Sequence, residues 1–405
     1  MSVLHIDLNS FFASCEVAAS LGKYTNDTKL LVTGDPGMRR GVVLAATYPA
    51  KKNGIYAGMP IGEALSRCPD AVCVKANFRL YQEYSDRFMS IIEAFSPSIQ
   101  RYGIDEAYID YTGTEHIHGV AMEAAKSISS RVKKELGLTV SIGIAPNKLL
   151  AKMGSDYKKP DAITEMSVEF FKQNMWGRPV NQLMYIGRKS QKRLEVMGIN
   201  TIGALAEVPL LVLQKEFGIV GARMHEYANG IDYSIVETST EREKGIGNST
   251  TLPYDAKTMD EILAVLLWLA EQTAARLRKT GATTSTLCVS LKDNALKVKS
   301  RQAGLKSTDV TDEIYAASAA IARELWRGEP IRHVGLRLEK LSFEHMQQMR
   351  LDNEAYEKKR RLDSCVDKLR GKYGKACVVR GKVLGSEILD AGCYLSQTAA
   401  KQNEE

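Results

Sequence analysis

Residues 102–110 read YGIDEAYID and set two neighbouring carboxylates, Asp105 and Glu106, between Ile104 on one side and Ala107, Tyr108 and Ile109 on the other. Like charges side by side at the mouth of a strand repel. Such a pair fits either a solvated turn or a place where a cation holds both groups.

Working outward, VLHIDL (3–8) alternates Leu4, Ile6 and Leu8 against His5 and Asp7, which predicts a strand with one buried face. Helical spacing over 79–95 ends at Ser96-Pro97, and a second amphipathic helix over 119–137 closes at Gly137. Residues 98–103 and 106–111 read as short strands around a tight turn, and 138–145 as a fourth strand. The order β-α-β-β-α-β is the ferredoxin-like pattern, with one insertion over about residues 10–78. In that pattern the first and third strands lie antiparallel in the sheet centre. Asp7 is therefore expected to meet Asp105 and Glu106 at one edge.

Three carboxylates without histidine or cysteine make a hard, oxygen-only donor set suited to Mg²⁺ or Mn²⁺. Two such cations about 4 Å apart support attack by a 3′-hydroxyl and departure of pyrophosphate, and phosphoryl transfer needs little beyond positioning and charge neutralisation. A glycosidase-type acid–base pair fits poorly, because adjacent residues on one turn do not flank a sugar from both sides. Tyr48 and Lys51 in ATYPAKK (46–52), and Lys158 and Lys159 in MGSDYKKPDAI (153–163), are candidates to hold a triphosphate. Phe11 and Phe12 taken alone read as core residues, but they follow Asp7 closely enough to pack against a sugar. Metal shared with Asp7 is expected to be what lets Asp105 and Glu106 stand as neighbours.

The 405 residues, 44% hydrophobic and 25% charged, suit a soluble chain of two to four domains. No apolar run is long enough to span a bilayer, and MSVLHIDLNSFF has no basic leader, so secretion is not expected. Seven scattered cysteines without a CxxC pair point to a reducing cytosol and away from a zinc module. The net charge of +7 is compatible with a polyanionic partner. Ten Lys/Arg between Ala145 and Leu205 (148, 152, 158, 159, 172, 178, 188, 189, 192, 193) face five acids and read as a basic surface.

HIDLNSFFASCE (5–16), GVVLAATYPAKKNGIYAGMPIGEA (41–64), YGIDEAYID and SIGIAPNKLLAKMGSDYKKPDAI (141–163) resemble, in order and spacing, the four signature segments of Y-family translesion DNA polymerases, in the bacterial polymerase IV/V-like branch. The resemblance implies an α+β, multidomain right hand. Its parts would be a ferredoxin-like palm (1–10 and 76–165), small fingers (11–75), a helical thumb (166–233), a linker (234–245), an α/β little finger (246–345) and a C-terminal tail (346–405). It assigns Asp7, Asp105 and Glu106 as catalytic metal ligands for two Mg²⁺ ions, with Mn²⁺ able to substitute, and brings the Leu8 carbonyl to a metal. Phe12 matches the steric gate against a ribose 2′-hydroxyl. Phe11, Phe12, Tyr48, Lys51 and Lys159 match triphosphate contacts, and Val32, Val42 and Leu44 the roof over the nascent base pair.

Two positions depart from the family pattern. Lys51 stands where arginine is usual, which removes a bidentate fork, and Asn9 stands where many relatives carry aspartate. Residues 186–208 resemble a helix-hairpin-helix, which places Gly187, Arg188 and Lys189 on DNA phosphates. Lys292, Lys297, Lys299 and Arg301 would add backbone contacts in the little finger. HMQQMRLDN (345–353) is a weak version of the sliding-clamp peptide, matching at Gln348 and Leu351 without its terminal aromatic; a plain linker reads equally well. The partners implied are primer-template DNA and dNTP, with no membrane, for a monomer in the bacterial cytoplasm at the nucleoid. A nucleotidyl cyclase, which shares a carboxylate-bearing ferredoxin-like palm, and a non-catalytic DNA scaffold are the rival readings.

Overall fold

The structure is a computed structural model, and it describes residues 2–34, 41–238, 243–343, 353–374, 377–383, 386 and 388–389. The chain divides into two compact units that meet in sequence between Thr240 and Glu241.

In the first unit β1 (Val3–Leu8) leads into α1 (Phe11–Ala19). An insertion follows with β2 (Leu30–Thr33), β3 (Val43–Ala46), α2 (Tyr48–Lys51), α3 (Ile61–Arg67) and β4 (Val72–Lys75). Its three strands form a separate small sheet, in the order β3-β2-β4. The chain continues through α4 (Phe78–Glu93), β5 (Ile99–Arg101), β6 (Glu106–Asp110), α5 (Glu115–His118), α6 (Ala121–Leu136), β7 (Val140–Ala145), α7 (Lys148–Tyr157) and β8 (Ile163–Glu165).

The main sheet runs β5-β6-β1-β7-β8, with β1 antiparallel to both β6 and β7. This is the ferredoxin-like order with β8 added at one edge. Leu4, Ile6 and Leu8 pack with Phe88, Ile92 and Val132 of α4 and α6. Asn77 caps α4 through the Leu80 N–H, and Gly137 ends α6 at φ 69°, a left-handed geometry that suits glycine. The expectation of one buried face on β1 needs correction, because all six of its residues are buried. The reason is α7, which crosses the second face where Gly143 of β7 and Gly154 of α7 leave room for close approach. An alternating strand between two apolar layers cannot be told by pattern from one that is half-solvated.

The remaining helices of this unit are α8 (Val168–Met175), a 3₁₀ turn (Val180–Gln182), α9 (Arg188–Val196), α10 (Ile202–Glu207), α11 (Leu210–Phe217) and α12 (Ile219–Ala228). Short and individually marginal in water, they share a core of Phe171, Met175, Leu194, Leu205, Leu213 and Met224.

The second unit contains β9 (Gly245–Ala256), α13 (Met259–Lys279), β10 (Thr283–Asp293), β11 (Val298–Thr308), α14 (Thr311–Leu325), β12 (Ile331–Ser342) and α15 (Asn353–Tyr373). Its sheet runs β11-β10-β12-β9. Leu287, Val289 and Leu291 of β10 pack with Leu266, Leu269 and Ile314 of α13 and α14, in a core that also takes in Val383, Ile388 and Leu389. β9 begins at Gly245, the last residue of the expected linker, and its opening residues Gly-Ile-Gly-Asn-Ser-Thr are mostly small and polar.

Candidate active site

The catalytic candidates gather at one end of the main sheet. Asp7, near the C-terminal end of β1, is the register partner of Glu106, which opens β6. The Leu8 N–H donates to the Asp105 carbonyl at 2.9 Å, and the Tyr102 and Gly103 N–H groups donate to the Glu106 carbonyl at 3.1 and 3.2 Å. Ser85 of α4 holds the Ile104 carbonyl. Backbone bonds on both flanks thus lock the turn that carries the acids. A Cβ at 103 would sit 3.2 Å from Glu106 Cγ and 3.4 Å from Asp105 Oδ1, close enough that the acid side chains would have to shift slightly.

Two ammonium groups enter this acidic edge. Lys152 Nζ lies 2.6 Å from Glu106 Oε2, 3.2 Å from Asp7 Oδ2 and 3.6 Å from Asp156. Lys159 Nζ lies 2.9 Å from Asp7 Oδ1 and 2.7 Å from Asp156. Both lysines were expected among the basic surface charges, Lys159 with a nucleotide role besides. Lys152 is instead largely enclosed, its side chain 16% exposed. It was missed because a single lysine in NKLLAKMGSD looks like the solvated face of an amphipathic helix. No sequence signal set it apart, since its enclosure comes from the packing of α7 on the sheet. Burial disfavours the Lys152 ammonium, but Asp156, Asp7 and Glu106 more than compensate and raise its pKa. Of the two acids of the turn, Glu106 is therefore held by positive charge that this chain itself supplies.

The electrostatics separate the two neighbours. Burial pushes Glu106 upward, but His5 and Lys152 outweigh it and hold the group at about 2. Asp105 is pushed up to about 6, by burial first and then by the Asp7 and Glu106 carboxylates. His5 is fully buried, with Nδ1 2.8 Å from Ser155 Oγ and Nε2 3.3 Å from Glu106 Oε2. That second approach forms no regular hydrogen bond, so Lys152 is the principal hold on Glu106. Burial keeps the His5 pKa low. His5 and Ser155 are also residues that the sequence pattern hid, as an apparent solvent-side position and a small helical one.

As they stand, the described residues include no group of three acidic, histidine or cysteine side chains gathered around one point. The donor set nevertheless fits a hard divalent ion. It is all oxygen, and Asp105 has no ion-pair partner among the described residues while its neighbours raise its proton affinity.

The nucleotide candidates lie beside this edge. Tyr48 and Lys51 sit on α2, where Lys51 Nζ donates to Ser10 Oγ at 2.7 Å and lies 4.7 Å from the Tyr48 ring centre. The Tyr48 hydroxyl donates to Asn9 Oδ1 at 3.4 Å, and Ser141 donates to the same oxygen at 2.8 Å. Phe11 is buried, whereas Phe12 is half-buried and stacks on Tyr81 with ring centres 4.4 Å apart and 16° between planes. Val32 is fully buried in β2, Leu44 is half-buried in β3, and Val42 bridges to Pro60. Lys158 stays out of the cluster, 5.9 Å from the Tyr157 ring.

The remaining cations are spread wider. Gly187, Arg188 and Lys189 are exposed at the N-terminal end of α9. In the second unit, strand alternation divides the four expected DNA-backbone residues. Arg301 and Lys299 are register partners of the inward-facing Val289 and Leu291, and they pair with Glu324 and Glu329. Lys292 points to the opposite face, and Lys297 lies in the β10–β11 turn. Gln348 and Leu351 lie outside the described residues.

Comparison with known proteins agrees with this geometry. The impB/mucB/samB family matches residues 6–156, its C-terminal domain matches 243–351, and the DNA polymerase-iota thumb domain matches 183–232. DNA polymerase IV of Moorella thermoacetica is 38% identical over 96% of this chain and 98% of that protein. DNA polymerase IV 2 of Bacillus subtilis is 36% identical over 94% of this chain and 93% of its own. Among solved structures, a Y-family chimera of Dbh and Dpo4 superimposes with a TM-score of 0.75 at 26% identity, covering 85% of this chain and all of the chimera. An insertion ternary complex of Dbh DNA polymerase gives 0.58 at 25% identity over the same shares. With palm, fingers, thumb and little finger all represented, the chain belongs to the Y family of DNA polymerases.

Proposed function

We propose that this protein is a template-directed DNA polymerase of the translesion type, adding dNTPs to a primer 3′-end with low fidelity and passing damaged template bases. The observation that carries the reading is the arrival of Asp7, Asp105 and Glu106 at one sheet edge, with Lys159, Tyr48 and Lys51 beside it. Two Mg²⁺ ions, or Mn²⁺ in their place, would be held by the three carboxylates and the Leu8 carbonyl, and would supply charge neutralisation for phosphoryl transfer.

The chain's own groups do the rest. Tyr48, Lys51 and Lys159 hold the triphosphate. Phe12, braced by Tyr81, occupies the space a ribose 2′-hydroxyl would need. The backbone N–H groups at Gly187, Arg188 and Lys189 suit DNA phosphates at a helix N-terminus, and Lys292 and Lys297 offer further contacts. The partners are primer-template DNA and dNTP, with 345–353 a candidate contact for the sliding clamp alongside its reading as a plain linker. The enzyme acts as a monomer in the cytoplasm, at the nucleoid.

Primer extension with Mg²⁺ and dNTPs on plain and abasic templates tests this. Wild type should extend both, and Asp105→Ala with Glu106→Ala should lose at least about a hundredfold in rate, the several kcal/mol that metal-held charge supplies. No extension by wild type, or cyclic product from NTPs alone, would overturn it in favour of a scaffold or a cyclase.

A further inference from the structure

Lys152 is placed unlike the other lysines of the site. It projects from the middle of α7, which lies close on the sheet at Gly143 and Gly154. Its ammonium touches Glu106 Oε2 and Asp7 Oδ2 together. Lys159 takes the other oxygen of Asp7. A divalent cation drawn to Asp7 and Glu106 therefore meets carboxylates whose charge a fixed ammonium already partly offsets. A unit charge and a double charge about 4 Å apart repel strongly even in a water-like dielectric. The acidic oxygens attract the cation, and Lys152 sets how much of that attraction is left.

We propose that Lys152 is a positioning residue that holds down the divalent-cation affinity of the carboxylate site. It bridges Asp7 and Glu106, yet makes full cation loading depend on the negative charge that an incoming nucleoside triphosphate brings. This rests on the proposed reading of Asp7, Asp105 and Glu106 as cation ligands. A purely structural Lys152, tying α7 to the sheet, makes a different prediction, since its loss would loosen the site and weaken cation binding.

Mn²⁺ binding to the full chain without nucleotide, read by the loss of the free-ion electron paramagnetic resonance signal, separates the two. Lys152→Met should bind Mn²⁺ about tenfold or more tightly than wild type. Lys152→Arg, which keeps the charge, should stay near wild type, and Asp105→Asn should weaken binding. Adding a non-hydrolysable dNTP should tighten Mn²⁺ binding in wild type and do so much less in Lys152→Met. Should Lys152→Met fail to fold, Lys152→Gln carries the same expectation, and thermal melting verifies its fold. Unchanged or weaker Mn²⁺ binding in a folded, charge-free variant, with wild-type binding still dependent on Asp105, overturns this inference alone. Binding indifferent to Asp105 removes the cation-site reading and this inference with it.

Discussion

Arg278 of α13 and Asp363 of α15 are 85 residues apart in sequence and meet in a 3.2 Å ion pair that is nearly closed to solvent, with side chains 10% and 7% exposed. The same guanidinium reaches Asp367 at 2.6 Å and donates to the Asp309 carbonyl at 2.7 Å. Arg370 holds the buried Glu271 at 2.9 Å, and Arg360 and Tyr356 converge on Asp309. The C-terminal helix is therefore fastened to the little finger by a network of buried charge.

Removing one partner of a buried pair leaves the other desolvated and uncompensated, at a cost of several kcal/mol. Asp363→Ala should destabilise the second unit by about 3 kcal/mol, read as a lower denaturant midpoint in urea by circular dichroism. Equal stability of Asp363→Ala and wild type would show that α15 is only loosely attached.

The shifted carboxylates give a pH dependence of definite sign. Asp105 takes up its proton more readily in the folded chain, at about 6 against an ordinary 3.8. The folded state thus binds more protons than the unfolded one between about pH 4 and 6, and stability falls as pH rises through that window. Allowing for solvent screening of this partly open site, the fall is roughly 1–2 kcal/mol. Glu106 acts oppositely: its contribution is present above 4.5 and is lost as pH drops toward about 2. Urea melts in EDTA at pH 4.5, 5.5 and 6.5 should show the decline in wild type and a flatter profile in Asp105→Asn.

Those two carboxylates also mark how far the sequence could be read. Alternation in VLHIDL and the helical spacing of 79–95 place Asp7 opposite Glu106 because both patterns report apolar burial, which governs the sheet order. The charge balance was not legible in the same way. Lys152 and His5 are polar residues at positions that a periodic reading assigns to solvent, and only the packing of α7 on β1 reveals their enclosure. The helix at 353–373 stayed obscure for a related reason. Its attachment uses Arg360, Asp363, Asp367 and Arg370, which in sequence look like a solvated charged run.

Phe12 offers a test of sugar selection. Its ring is stacked on Tyr81, whose hydroxyl donates to Glu16 at 2.6 Å, so it cannot swing aside without breaking that stack. Phe12→Ala should raise ribonucleotide incorporation relative to dNTP by on the order of a hundredfold, the scale on which apolar pockets discriminate a single hydroxyl. The ratio of kcat/KM for dNTP and NTP on one primer-template measures it, and an unchanged ratio would remove Phe12 from the gate.

Lys51 now has defined neighbours, Ser10 at 2.7 Å and the Tyr48 ring beneath it. An arginine there could keep the ring contact and add a second planar donor toward phosphate oxygens. Lys51→Arg should lower the KM for dNTP severalfold with little change in kcat, in steady-state single-nucleotide insertion. A KM at the wild-type value would separate position 51 from triphosphate binding.

Gly143 links the packing of the palm to its chemistry. A Cβ at this position would run into the Ala151 carbonyl and the Ser155 amide of α7. Those residues flank Lys152, which reaches Glu106, and Ser155 itself contacts His5. Gly143→Ala must therefore lift α7 or tilt it, and overpacking of this kind costs about 1–3 kcal/mol. The displacement should also draw Lys152 and Ser155 away from the carboxylate edge. The variant should accordingly melt at lower temperature and extend primers at least about tenfold more slowly, since misplacement of about 1 Å has effects of that order. Gly62→Ala, at an open position with nothing near its Cβ, is the matched control and should leave extension unchanged. Full activity in Gly143→Ala would mean that α7 can shift without disturbing the site.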